Sequence, residues 1–355
     1  MNTADEGRVE MPALIGTDPM GFLAALGVLR LVTAELGWDA TLSWPDGPRA
    51  GAILGRCPGG TGIDELVGVL VGVATAAREA EQLIPGVDGF PPSKESSEGS
   101  DPVKDLSLRE RSGLATTSLA RSGSFAEWLV ASVSLAARDG LDARDRLTSA
   151  FVRPTGQVTF DRSLKSGLAA ITPTRVREAL VGWVRVEGTT GNYFDQRAVR
   201  DEFVGAHTKG QMKNAGVPGA AWLALMALPW LPVRTSSAGR AVTVGFQRRR
   251  GQPTRMVWPV WTNELHAAGV EALLDHPTFA RIDAVPVDDA DKKRRSFANA
   301  AALRTMGVAA VFASERRPGP QGPEGALGPS EVIASVRFRS STVSTVSTAR
   351  GRRSG

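Results

Sequence analysis

The residues best placed to do chemistry are clustered cations. Arg248-Arg249-Arg250, followed by Gly251-Gln252-Pro253, falls at the tip of a hairpin expected over 241–261, where three guanidinium groups would project together and grip phosphates. Lys292-Lys293-Arg294-Arg295 forms a second run, directly after Asp288, Asp289 and Asp291. That order leaves two readings open: contact with nucleic acid, or a solvated face that neutralises itself. A third group, Arg350, Arg352 and Arg353, closes the sequence. Residues 292–355 hold twelve Lys and Arg against three Glu, a local charge of +9 that leaves 1–291 at −4 of the overall +5. A basic C-terminal end suggests a polyanionic partner. Arginine outnumbers lysine 35 to 7, with Ala, Gly and Val abundant as in GC-rich genomes, so a single arginine carries little information.

Other motifs point to chemistry less well. Gly55-Arg-Cys-Pro-Gly-Gly60-Thr61 follows a probable strand and precedes a helix, with the Gly-x4-Gly spacing of a phosphate loop, but no lysine follows Gly60. A plain strand-to-helix turn capped by Thr61 or Asp64 is the reading preferred. Cys57, the single cysteine, stands in that loop with no histidine near it in sequence, which favours an inert thiol over a nucleophile. It also excludes an intrachain disulfide, and with three histidines, at 207, 266 and 276, argues against a Cys/His zinc site. His266, Asp275 and His276 are expected in surface or capping roles. No His-Asp pair, Glu-x-x-His, Gly-x-Ser-x-Gly or carboxylate cluster stands where hydrolytic chemistry needs it. The expectation is no catalytic residue, no metal and no cofactor. Trp222, Trp230, Trp258 and Trp261 are read as core rather than as base-stacking platforms.

The elements that must position the cations are helices packed on short, mainly antiparallel strands and hairpins, an α+β class. Asp18 and Pro19 open a helix running to about Leu36, where Gly37 stops it. Gly21 and Gly27 each cost that helix about 1 kcal/mol, so another protein element is expected close against its backbone. A hairpin follows, 40–44 with 50–54 around Pro45-Asp46-Gly47-Pro48, then a helix over 64–83 with Leu66, Leu70, Val73 and Ala77 on one face. Further helices are expected over 125–138, 172–183, 219–228, 263–274 and 295–308, and hairpins over 150–160 and 241–261. The organisation is a helix-hairpin-helix region at 11–84, a loop or linker at 85–105, a main region at 106–339 and a disordered basic tail at 340–355. The longest charge-free run, Asn214–Val233, is broken by Pro218, Pro229 and Pro232, so no membrane span is expected. The acidic start, with Asp5, Glu6 and Glu10, does not support a secretory signal, which implies a cytoplasmic protein.

Three blocks carry a family resemblance. Asp18-Pro-Met-Gly-Phe-Leu-Ala-Ala-Leu-Gly-Val-Leu-Arg30, then Gly219-Ala-Ala-Trp-Leu-Ala224 through Leu228-Pro-Trp-Leu-Pro232, and Trp258-Pro-Val-Trp261 followed by Leu265 and Leu273-Leu274, cover about a fifth of the chain. In this order they resemble accessory proteins of type I-G (formerly I-U) CRISPR systems, the family found as an extension of, or neighbour to, the CRISPR helicase–nuclease. The resemblance implies a non-catalytic subunit or accessory factor of an RNA-guided antiviral complex, with CRISPR effector proteins and guide RNA or target DNA as partners. The basic runs fit that role. Two alternatives are a protein-only scaffold, docking through the glycine-bearing first helix and the apolar hairpin, and an enzyme acting on a phosphorylated substrate through the 55–62 loop.

Overall fold

The structure, a computed structural model, describes residues 7–92, 107–120, 123–137, 148–152, 160–189, 194–195, 215–248, 253–282, 301–317 and 326–336. Strand β1 (Gly7–Ile15) runs into helix α1 (Pro19–Ala34) through the predicted cap. The Asp18 carboxylate accepts from the N–H groups of Met20 (2.9 Å) and Gly21 (3.1 Å), and Pro19 takes the first helical position. The helix closes at Ala34, slightly earlier than expected, and Gly37 follows in the left-handed region at φ +67°. β2 (Thr41–Ser43) and β3 (Gly51–Cys57) form the expected hairpin, pairing Leu42 with Leu54. β1 pairs with the other edge of β3; its signal was the alternation of exposed Arg8 and Glu10 with buried Val9 and Met11. Next, α2 (Ile63–Glu79) buries Leu66, Leu70, Val73 and Ala77 as its spacing predicts.

Departures from expectation begin after the 85–105 segment. α3 (Leu108–Ala120) was not foreseen, and α4 (Gly123–Ser132) stops short because Val133 forms a β-bridge with Thr148. Of the hairpin expected over 150–160, Ala150–Val152 is a 3-10 turn, Phe160 opens α5 (Phe160–Ala169), and 153–159 lies outside the described residues. Phe160, Leu164 and Leu168, spaced by four, make one buried helical face. Thr172 caps α6 (Pro173–Arg177) as predicted, and the helix widens into a π turn over Glu178–Gly182. β4 (Val186–Glu187) pairs with β5 (Ala215–Gly216), and α7 (Pro218–Met226) follows.

The hairpin expected over 241–261 is two units. β7 (Ala241–Thr243) turns back on β6 (Val233–Thr235), and only β8 (Phe246–Gln247) pairs with β9 (Arg255–Trp261). Gly245, at φ +79°, makes the break. β10 (Leu265–His266) pairs with β2, so the helix expected from Asn263 starts later, as α8 (Ala267–Leu274); α9 (Pro277–Arg281) follows. Of the helix expected over 295–308, 301–305 is helical and 295–300 lies outside the described residues. Gly307, at φ +72°, ends it, and β11 (Val308–Arg316) pairs with β12 (Leu327–Ser335), a pair not foreseen. Val308–Ala313 is buried on both faces and so shows no alternation. The strands make two four-stranded antiparallel sheets, ordered β1-β3-β2-β10 and β12-β11-β9-β8, and the fold is α+β.

Helices α1 and α7 cross at the centre. Residues Pro19 to Val32 of α1 are all buried, as is every residue of α7. Such all-round burial marks an interior helix. A Cβ built on Gly27 would overlap the Leu223 carbonyl, so the close neighbour foreseen for the glycines of α1 is α7; Gly21 is pressed instead against the backbone of Ile15. Phe22 faces Trp44 (5.6 Å between ring centres), Trp258 (6.1 Å) and Trp261 (6.1 Å). The indole N–H of Trp44 donates to Leu14 O (3.1 Å), that of Trp258 to Gly16 O (2.9 Å) and that of Trp261 to Leu42 O (2.7 Å). These bonds tie the second sheet to the first and to the turn between β1 and α1, and they give each of these three buried indoles an acceptor. Among the described residues no helix is long and apolar enough to cross a membrane.

Gly27→Ala should therefore destabilise the protein by about 1–3 kcal/mol, overpacking outweighing the gain of about 1 kcal/mol in helix propensity. Gly72 on α2 has open space around its would-be Cβ. Gly72→Ala should instead stabilise by up to about 1 kcal/mol. Urea denaturation of both variants checks the opposite signs.

Candidate nucleic-acid interface

The arginine run starts where β8 ends, and that end is unusually well fastened. Gln247 is the Cα partner of Arg255 across the β8–β9 pair. Its side-chain oxygen accepts from Arg255 Nε (2.8 Å) and Nη2 (2.6 Å), while its Nε2 donates to Phe279 O (2.6 Å) and Ile282 O (3.0 Å). Arg255 Nη2 also donates to Ile282 O (3.0 Å). All of these groups are buried. This clamp holds together two chain positions 35 residues apart, Gln247 and Ile282. Arg248 follows Gln247 immediately and is exposed. Arg249 and Arg250 lie outside the described residues, as do Lys292, Lys293, Arg294 and Arg295, which come after Ile282 in sequence, and Arg350, Arg352 and Arg353.

Neighbouring arginines have internal duties. Arg316, counted in the sequence as part of the basic C-terminal end, is buried; its Nη2 donates to Ala150 O and its guanidinium lies over the Phe246 ring at 5.3 Å. Arg111 donates to Ser134 O (2.5 Å) and Ala137 O (3.2 Å). Arg30, inside α1, sits over the Trp128 ring at 5.4 Å and pairs with Glu127 at 3.3 Å. Burial pushes Arg30 below the ordinary arginine value, and Glu127 opposes that shift. The charge inventory thus overstates the cations open to a polyanion. A buried arginine bonded to carbonyls organises backbone.

Compared with known proteins, the chain matches no family model and no curated protein.

The remaining motifs resolve into structural roles. Gly55 and Cys57 belong to β3 itself, and the turn before α2 has Gly62 at its N-cap with no side-chain capping bond. This corrects the cap expected from Thr61 or Asp64: the Thr61 hydroxyl donates to Pro58 O (2.7 Å), and Asp64 pairs with Arg177. Cys57 is buried, and burial raises its thiol to about 11. Trp222, Trp230, Trp258 and Trp261 are all buried, as core residues. His276 caps α9, its Nδ1 accepting from Thr278 N at 3.4 Å, and Asp275 pairs with Arg234 at 2.6 Å. His207 lies outside the described residues.

One juxtaposition was invisible in the sequence. His266 Nδ1 lies 3.1 Å from Asp39 Oδ1, whose other oxygen meets Arg56 at 3.0 Å. The residues are brought together by the β2–β10 pairing. All three side chains are more than a third exposed, an arrangement typical of a surface ion cluster. Among the described residues no group of three His, Cys, Asp or Glu could hold a metal ion.

Gln247→Leu should strip the clamp of both its carbonyl partners and of the acceptor for Arg255, at a cost of about 3 kcal/mol in thermal or urea unfolding. The thiol makes a second prediction. At pH 8 a thiol of pKa about 11 is ionised about a hundredfold less than one at 9.0. Alkylation of Cys57 by iodoacetamide at pH 8 should accordingly be slower by at least that factor in the folded protein, and fast in urea.

Proposed function

We propose that this chain is a non-catalytic accessory subunit of a cytoplasmic, RNA-guided CRISPR complex, and that it holds guide RNA or target DNA by phosphate contacts. The contacting residues are Arg248, Arg249, Arg250, Lys292, Lys293, Arg294 and Arg295, with Arg350, Arg352 and Arg353 of the tail. The observation that carries this reading is the Gln247–Arg255–Ile282 clamp. It fixes Gln247, one residue before the first run, at the same buried point as Ile282, ten residues before the second. Arg248, which opens the first run, is exposed. The family resemblance supports the setting, and its three blocks meet in one core: Phe22 faces Trp258 and Trp261, and Gly27 abuts Leu223.

The alternatives find less support. A scaffold docking through the glycine face of α1 is disfavoured because α7 already occupies that face. A phosphate-binding enzyme site is disfavoured because Gly55, Arg56 and Cys57 of the glycine-rich motif are strand and its thiol is buried.

Neutralising about four phosphates on a single strand gives a slope near −3 in log K against log salt. Salt-titrated binding to labelled single-stranded RNA, single-stranded DNA and duplex DNA should show it. Changing Arg248, Arg249, Arg250 and Lys292 to Arg295 to alanine should move the slope towards zero and weaken binding at least about tenfold at moderate salt. A slope near zero in the unmodified protein would remove the mechanism.

A further inference from the structure

Strands β8 and β11 lie on either side of β9 and are both antiparallel to it, so they run in the same direction and leave the sheet at the same end. The register fixes that end. Gln247, Arg255 and Glu315 stand in one row across the three strands. One residue on, Arg316 N donates to Thr254 O (2.9 Å), and Arg317 N then donates to Ala326 O (2.9 Å), just before β12 begins. Arg248 and Arg317, distant in sequence, are thus brought to one end of one sheet by strand pairing alone.

The two arginines that close β11 have different surroundings. Side chains alternate along a strand, and Arg316 turns inward to Ala150 O and the Phe246 ring. Arg317 goes the other way. It is half-buried, and its stem lies over β12 where Gly328 has no side chain: a Cβ there would stand 2.9 Å from Arg317 Nε. Its guanidinium makes no hydrogen bond or ion pair among the described residues, whereas Glu315, the acid in the neighbouring row, already has a partner. Packing therefore seats this cation, and nothing described neutralises it. Arg248 flanks the sheet end on the β8 side and Arg317 on the β12 side, three strand spacings or about 14 Å apart. A strand rising about 3.4 Å per nucleotide covers that span in about four nucleotides.

We propose that Arg317 is a further phosphate-contacting residue, gripping the same nucleic-acid strand that Arg248 holds. The inference rests on the nucleic-acid reading above and adds to it a contact that the basic runs do not contain. It sets one contact on each flank of the end of the second sheet.

Salt-titrated binding of labelled single-stranded RNA and single-stranded DNA to the full chain tests it, with urea unfolding as the check that each variant is folded. Loss of one phosphate contact flattens the slope of log K against log salt by about 0.7 and weakens binding about fivefold at about 0.1 M salt. Arg317→Ala should show that change, and so should Arg317→Gln, whose shorter stem still packs on Gly328. Arg317→Lys should keep the slope, and Arg317→Ala combined with Arg248→Ala should flatten it about twice as far. Arg49 supplies the control for net charge: it is exposed, makes no ion pair among the described residues, and lines a groove with Thr262, Ala309 and Ser335 near the opposite end of the sheet. Arg49→Ala should leave the slope unchanged. A slope flattened by Arg248→Ala but not by Arg317→Ala overturns this inference and leaves the nucleic-acid reading standing. Equal flattening by Arg49→Ala also overturns it, since the effect would then be one of overall charge. Binding without salt dependence in the unmodified chain overturns both.

Discussion

The backbone approach of Gly27 to Leu223 sets the spacing on which the rest of the structure is built. The two helices, with almost no polar surface, approach this closely only because one lacks a side chain there: a Cβ at residue 27 would enter the Leu223 carbonyl. Their closeness lets Phe22 reach the tryptophans, and the indoles then bond to backbone at Leu14, Gly16 and Leu42. Each indole thereby both fills volume and satisfies a carbonyl. Phe22 of α1 thereby meets rings from both sheets, and the Trp261 bond ties the sheets to each other. Even the charge inside α1 obeys the constraint: Arg30 sits over the face of Trp128 and sends its charge to Glu127 at the surface.

What could be read from the sequence was what local chemistry decides. The Asp18-Pro19 cap, the Thr172-Pro173 cap, the turn at Pro45–Pro48 and the stripe of α2 each depend on residues within a few positions of one another. β11 was lost because a strand buried on both faces has no period, β12 because its exposed Pro329, Glu331 and Val332 do not alternate, and α5 because its first apolar residue, Phe160, was assigned to a hairpin. The pairing of β7 with β6 rather than with β9 turns on the conformation of Gly245, which composition alone does not specify.

The candidate site was legible only in part. Runs of arginine and lysine announce themselves, but the clamp beside the first of them does not: Gln247 and Arg255 look like ordinary hairpin residues, and their partners, the carbonyls at 279 and 282, are backbone groups without a sequence signature. The same is true of Asp39 and His266, which meet only because a two-residue strand pairs with β2. Arginine content misled in the opposite direction. Arg316, Arg255 and Arg111 are interior hydrogen-bond donors, and only burial separates them from phosphate-binding cations.

The proposal to be tested is that the basic segments following Gln247 and Ile282 contact the same nucleic-acid strand. Ultraviolet crosslinking of the protein to single-stranded RNA and DNA, with crosslinked peptides identified by mass spectrometry, tests it most directly. The account predicts crosslinks in both the 248–254 and the 283–300 segments, lost together when Gln247 is changed to leucine. Crosslinks confined to one segment, or unaffected by that change, would contradict it.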